Sequence, residues 1–266
     1  MAERSRYCQQ EAFPYIGPKG QGKISKGRVL VAGCGALGSA AAMLLARAGV
    51  GFLRLVDKDL LELHNLHRQI LYDEGDLSSG LPKAVLAKRH LEMINSTVEV
   101  EAVVAEMGPD NICSLVQDVD LVVDCLDNLP GRYLINEISI RAGKPWVHGG
   151  AVGARGNVMA FMPRKPPCFR CIFPGQGEGF EVLTCESGGI LGPTATLIGS
   201  LEAMEALKLL TGAFDYLLPG MLTVDLWEGI FRVVDVSRAV RKDCPCCGVS
   251  AGKRRGDGDS EKGQGP

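Results

Sequence analysis

No stretch of this 266-residue sequence approaches the roughly 18 uninterrupted apolar residues of a membrane span. Its first residues, M-A-E-R-S-R-Y, carry no apolar core of a secretory leader. Neither sign of charge is in surplus: 29 Lys and Arg face 31 Asp and Glu, a net charge of -2. That balance gives no general attraction to nucleic acid or to anionic membrane. A hydroxyl is also missing where it would count. Gly17 to Lys23 reads G-P-K-G-Q-G-K, the opening of a phosphate-binding P-loop, but Ile24 follows where magnesium binding needs Ser or Thr. The run also precedes a predicted strand, whereas a P-loop follows one, so this reading is set aside. Without export, Asn95-Ser96-Thr97 reads as an unglycosylated turn, and the ten cysteines as thiols and metal ligands, not disulfides. The expectation is a cytoplasmic enzyme.

What is present is apolar, glycine-rich and patterned. A hydrophobic content of 46% with 34 glycines fits a buried sheet with many turns. The length suits one large α/β domain with small appendages. Residues 1–27, polar and rich in glycine, read as an exposed N-terminal arm or loop, and 28–250 as the domain. Residues 251–266 hold no apolar residue beyond alanine and proline and read as a disordered tail.

Arg28 to Ala32 is a short β-branched run, hence a buried parallel strand. Gly33, Gly35 and Gly38 complete G-x-G-x-x-G, a helix runs from Leu37 to Ala48 with Gly49 as its C-cap, and Phe52 to Val56 is the next strand. Strand, glycine turn, helix, and Asp57 closing the second strand together point to a nucleotide, with the acid on a ribose hydroxyl. The stretch Asp57 to Gln69, D-K-D-L-L-E-L-H-N-L-H-R-Q, then carries more than a ribose site needs. Asn65, Arg68 and Gln69 suggest that phosphates are handled chemically. Lys83 opens a helix to Ile94, where it opposes the macrodipole; it is either an exposed lysine or a second phosphate cation. Further strands are expected at Val98–Val104, Leu121–Asp124, Pro145–His148 and Asn157–Met162, and a helix opens at Pro109-Asp110. Asp127 and Asn128 follow the Leu121–Asp124 strand, where such sheets bind ligands; Asp127 is a magnesium candidate, or the pair caps the next helix.

Cys168-Phe-Arg-Cys171 and Cys244-Pro-Cys-Cys247 are two C-x-x-C pairs with the spacing of a four-thiolate zinc site, Cys246 being the spare. Pro193 to Leu210 reads as a helix with Leu197, Ile198, Leu201, Met204, Leu207 and Leu210 on its buried face and Glu202, Glu205 and Lys208 elsewhere. Leu222–Asp225 and Ile230–Val236 close the sheet as antiparallel strands. The fold expected is therefore α/β: a Rossmann-like parallel sheet continued by antiparallel strands, with a four-cysteine zinc clip.

G-C-G-A-L-G-S, the Asp57–Gln69 stretch, D-C-L-D-N, C-F-R-C, T-C-E-S-G-G-I-L-G-P and C-P-C-C occur in one order between Arg6 and Gly248. In this the chain resembles the ThiF/MoeB/HesA family, bacterial relatives of ubiquitin-activating enzymes. The resemblance implies ATP- and magnesium-dependent adenylation of the C-terminal glycine of a ubiquitin-like sulfur carrier (ThiS or MoaD type), ahead of thiocarboxylate formation. It places Gly33, Gly35, Gly38 and Asp57 on ATP, and Asn65, Arg68, Gln69 and Lys83 at the phosphates. It puts magnesium at Asp127 beside Asn128, and zinc on Cys168, Cys171, Cys244 and Cys247. Cys185 falls at the thiol that takes the carrier's acyl group in ThiF-type members; the alternative is a plain loop thiol. A homodimer and a separate sulfur-donor protein are also implied. One departure stands out: Gln9 occupies the place of an arginine that reaches the partner subunit's ATP, so Arg4 or Arg6 substitutes or adenylation proceeds differently. Two other readings use the same fingerprint: an NAD-dependent dehydrogenase, which leaves the arginine and the zinc clip unexplained, and a nucleotide-binding scaffold that docks a carrier without activating it. A tRNA-modifying relative fits less well: such members generally lack the zinc cysteines, and this chain has no basic surplus.

Overall fold

The computed structural model describes residues 5–175 and 188–248. In chain order its elements are α1 (Cys8–Glu11), α2 (Gly17–Ile24), β1 (Arg28–Ala32), α3 (Ala36–Ala48), β2 (Phe52–Val56), α4 (Glu74–Leu77), α5 (Lys83–Ile94), β3 (Glu99–Val103), α6 (Ile112–Val116), β4 (Leu121–Asp124), α7 (Leu129–Ala142), β5 (Trp146–Val152), β6 (Arg155–Phe161), α8 (Phe169–Ile172), α9 (Gly192–Thr211), β7 (Met221–Asp225) and β8 (Ile230–Val234). The eight strands form one sheet in the order β3-β2-β1-β4-β5-β6-β7-β8. Pairings from β3 through β5 are parallel and those from β5 to β8 antiparallel.

The parallel half is covered on both faces, which is why β1 and β2 carry near-continuous apolar runs and not an alternation. Val29, Val31, Leu53 and Leu55 point toward α3, α5 and α9, where Leu45, Leu91 and Ile198 meet them. Leu30 and Val122 point the other way, into a cluster with Ile112, Ile135, Trp146, Phe161 and Phe169 from α6, α7, β5, β6 and α8. Each such side chain contributes about 1.5–3 kcal/mol on full burial. The outer strand differs: every residue of β8 is exposed, and Trp227 in the turn before it is 80% exposed.

Two expectations change here. The segment after Gly17 is not an exposed loop but α2, with Gln21 and Ile24 buried. Gln21 donates to Ala48 O, and Lys23 to Thr211 O, so polar residues that read as solvated tie this helix to the ends of α3 and α9. On α9, Glu202 and Glu205 are buried and Met204 is half exposed. Glu205 is held by Lys208 one turn on and by the Leu218 N–H. Ile198 is buried and Leu197, Leu201, Leu207 and Leu210 pack against the core as expected, but the buried face is wider than apolarity alone marked, because two carboxyls are accommodated inside.

Candidate active site

A cavity of about 1950 Å³ opens over the carboxyl ends of β1, β2 and β4 and continues along β5 and β6 to β7 and β8. Gly33, Gly35, Asp57, Asn65, Arg68, Gln69, Lys83, Asp127 and Asn128 all line its first part. Gly38 does not. It sits beneath the turn, where an added Cβ would lie 1.9 Å from Gly33 O, so its role is to let α3 start this close to the turn.

Asp57 is held by backbone: one carboxylate oxygen accepts the Cys34 N–H at 2.8 Å, the other the Asp59 N–H at 2.8 Å. Burial pushes its pKa up, while those two donors and Lys83 pull it down. Lys83 is buried, with Nζ 3.3 Å from Asp59 Oδ2 and its backbone N–H on Asp59 O. Its cost at a helix start is thus offset by an acid that the sequence reading passed over. Asn65 is buried, and its Oδ1 accepts the Glu62 N–H, fixing the short 3₁₀ turn Leu63–Asn65. Gln69 is also buried, and its Oε1 has no partner among the described residues. An orphan acceptor in the cavity wall is a vacancy a bound hydroxyl or N–H fills. Arg68 Nη1 donates to His64 O at 2.7 Å and meets His67 Nε2 at 2.9 Å, which makes His67 a local partner of the arginine. His64 meets Glu62 at 3.5 Å.

Of the two readings of Asp127-Asn128, the structure shows the helix cap. Asn128 Oδ1 accepts the Gly131 N–H at 2.9 Å and caps α7, while Asp127 lines the cavity with only the Asn128 amide at 3.3 Å on its side chain. Cys185 and Arg4 lie outside the described residues. Gln9 is exposed, and Arg6 donates to Ile94 O at the end of α5.

Reading the sequence missed Tyr72 and Arg132. The Tyr72 hydroxyl donates to Cys34 O at 2.8 Å and lies 3.3 Å from Lys83 O, joining the glycine turn to the start of α5. Arg132 donates to Leu126 O and Gly149 O and approaches Asp124 at 3.4 Å, bracing the loop that carries Asp127. Its position four residues after the Asn128 cap, one helical turn on, is the signal that could have found it.

Beside the far part of the cavity, Cys168, Cys171, Cys244 and Cys247 bring their sulfurs within 4.8 Å of one another. The closest pairs are Cys171–Cys247 at 3.4 Å, Cys168–Cys244 at 3.6 Å and Cys168–Cys171 at 3.9 Å. A tetrahedron of thiolates at about 2.3 Å from one zinc has edges near 3.8 Å, so the donor set fits that ion. Cys246 is buried beside the set and not in it. Phe169 and Arg170, between two of the thiolates, line the cavity, so the clip anchors part of its wall.

The family model for the ThiF family matches residues 7–246. The sulfur carrier protein adenylyltransferase of Thermus thermophilus is 38% identical over 251 residues, 92% of this chain and 91% of that protein. The sulfur carrier protein ThiS adenylyltransferase of Bacillus subtilis is 37% identical over 244 residues, 92% of this chain and 71% of its own length. Adenylyltransferase and sulfurtransferase MOCS3 of Xenopus laevis is 39% identical over 91% of this chain; the chain spans about half, 53%, of that longer protein. Among solved structures, E. coli MccB superposes with a TM-score of 0.79 at 22% identity, covering 92% of this chain and 76% of that one, a likeness of fold. This chain belongs to the ThiF family.

Proposed function

We propose that this ThiF-family member adenylates the C-terminal glycine of a ubiquitin-like sulfur carrier of the ThiS or MoaD type. The observation that carries the reading is one cavity in which the glycine turn, Asp57, Arg68, Lys83 and Asp127 converge and which runs on to the open edge of the sheet. In the reaction a carboxylate oxygen of the carrier forms a bond to the α-phosphorus of ATP. The bridging P–O bond breaks, and its electron pair leaves with pyrophosphate. Two anions must approach, so cations govern the barrier. One unit charge 4 Å from a phosphate oxygen contributes about 4 kcal/mol at an effective dielectric of 20, roughly a thousandfold in rate if realised only in the transition state. Arg68 and Lys83 supply this charge, Asp57 takes the ribose, and Asn65 and Gln69 position phosphate oxygens. Asp127 would hold magnesium, which offsets triphosphate charge when bound.

Zinc on the four thiolates clips the segment around Cys168 to the one around Cys244, a structural role far from phosphorus chemistry. Reduced thiolates of this kind belong to a reducing compartment, which favours the cytoplasm. The carrier docks toward the unpaired edge of the sheet, where Ile230 and Arg232 of β8 line the cavity. The enzyme works as a homodimer, with Gln9 in place of a cationic contact to the partner's ATP, and sulfur comes from a separate donor. Cys185 takes the carrier's acyl group. Family membership displaces the dehydrogenase reading; the docking scaffold remains as an outcome of the test. That test is ATP–pyrophosphate exchange dependent on a carrier ending in Gly-Gly. Exchange is expected, and carrier binding with no exchange would leave only a scaffold.

A further inference from the structure

Under the far part of the cavity, three neighbouring strands set a polar chain across the sheet. Asp124 on β4 pairs in register with His148 on β5, and Asn157 on β6 lies opposite Gly150, two residues along. Asp124 and His148 are buried; Asn157 is half-buried in the cavity wall. His148 Nδ1 is 3.0 Å from Asp124 Oδ2, and Nε2 is 2.9 Å from Asn157 Oδ1. The other faces of the imidazole meet Phe169 and Trp146 rings at 4.9 and 6.1 Å. Arg132 from α7 approaches the same Asp124 oxygen. Gly150 leaves room for the amide, since a Cβ there would sit 3.3 Å from both of its polar atoms.

Burial pushes the imidazole's pKa down despite Asp124 beside it. A neutral ring that donates from Nδ1 to a carboxylate has a bare Nε2, which accepts. The partner it requires is the Asn157 amide N–H, so the amide is turned by a half-turn from the placement with Oδ1 toward the ring, the hydrogen-bond network deciding between the two. The amide oxygen then faces the cavity, and no other side-chain hydrogen bond engages Asn157 among the described residues. An extended peptide lying there must find acceptors for its backbone N–H groups, because a buried orphan is costly.

We propose that Asn157 binds the acceptor's C-terminal tail, its amide oxygen taking the N–H of the terminal glycine, with the buried Asp124–His148 pair fixing which way the amide faces. This rests on the adenylation reading and names the tail-reading group of the same site. His148 is a positioning residue: it acts only through Asn157.

The test is a double-mutant cycle with a semisynthetic ThiS-type carrier ending in Gly-Gly and a twin whose last residue is sarcosine, which has no N–H. Pyrophosphate exchange gives KM separately for carrier and ATP. Asn157→Ala should raise the carrier KM about fivefold to tenfold and leave the ATP KM within about twofold. The sarcosine carrier should cost wild type a similar factor and cost Asn157→Ala nothing more. His148→Phe, which keeps the ring cluster but frees the amide, should raise the carrier KM by about threefold. Asn157→Val, a better strand residue, repeats the cycle should the alanine variant fold poorly. An unchanged carrier KM in both Asn157 variants overturns the proposal, as does a sarcosine penalty that persists in them. No exchange by wild type with the Gly-Gly carrier rejects adenylation itself, and the inference falls with it.

Discussion

The two ends of the cavity obtain their chemistry in different ways. The proposed phosphate end draws on a glycine turn and one contiguous run, Asp57 to Gln69, joined by Lys83 and, from the loop after β4, by Asp127, and backbone groups hold much of it: Asp57 by two N–H donors, Lys83 by Asp59, Asn65 by its own turn. The far end is assembled from β5 to β8 and from cysteines some 76 residues apart, joined by four sulfurs and a buried polar chain. Local chain geometry makes the first; long-range side-chain contacts make the second. Damage should therefore separate: substitutions at the phosphate end remove rate, and those at the far end remove the acceptor.

The sharpest separation is expected at Arg68. Among the described residues its guanidinium has only local partners, His64 O and His67, so Arg68→Ala leaves no buried group stranded there. Adenylation should fall by roughly 10²–10³-fold while ATP still binds, in single-turnover assays beside a nucleotide titration. Near-normal turnover removes Arg68 from the chemistry and erases the contrast. Cys244→Ser addresses the other end. Zinc content should drop to well under one per chain, and carrier affinity should weaken about tenfold or more, with ATP affinity changed little. Equal loss of both affinities would mean that the clip supports the whole domain and not one end.

A third substitution sharpens the backbone side of the comparison. Gly38→Ala places a methyl against Gly33 O, where the added atom has no room. The turn must shift, costing about 1–3 kcal/mol, and nucleotide affinity should fall with stability. A variant as stable as wild type and still binding ATP would show the turn to be less constrained than its geometry.

The same division explains what could be read in advance. The strands β1, β2 and β4 were legible to the residue because fully covered strands are short apolar runs closed by a glycine or an acid. The polar residues of Asp57–Gln69 were legible as one candidate group because they are local in sequence, and they line one cavity. The helix at Gly17–Ile24 was not, since its glycines suggest a loop and its stability comes from Gln21 and Lys23 reaching carbonyls far along the chain. Arg132, Asp124 and His148 were illegible as a site for the same reason: each is unremarkable alone and acquires meaning from neighbours on other strands. The four clustered cysteines are the exception at that end, because paired spacing signals a candidate ligand set even across a long gap.

The smallest expected effect lies at the seam between the two ends. Glu202 on α9 is fully buried, its carboxyl against Gly149, where an added Cβ would sit 2.3 Å from Cδ, and 3.6 Å from Cys125 Sγ. Burial, then the nearby Asp124 charge, raises its pKa well above 4.5. The native state therefore keeps a proton that the unfolded chain releases. Below the unfolded pKa this carboxyl carries no ionisation penalty; as pH rises toward the folded pKa, that part of the stability is lost. Glu202→Gln keeps the shape and abolishes the titration. Its thermal midpoint should match wild type near pH 5 and exceed it by several degrees at pH 8, since about 1 kcal/mol moves a domain of this size by about 2–4 °C. The two curves should diverge steadily between these limits. Parallel curves would mean that the carboxyl ionises freely within the fold, and the seam would then be wetter than its burial indicates.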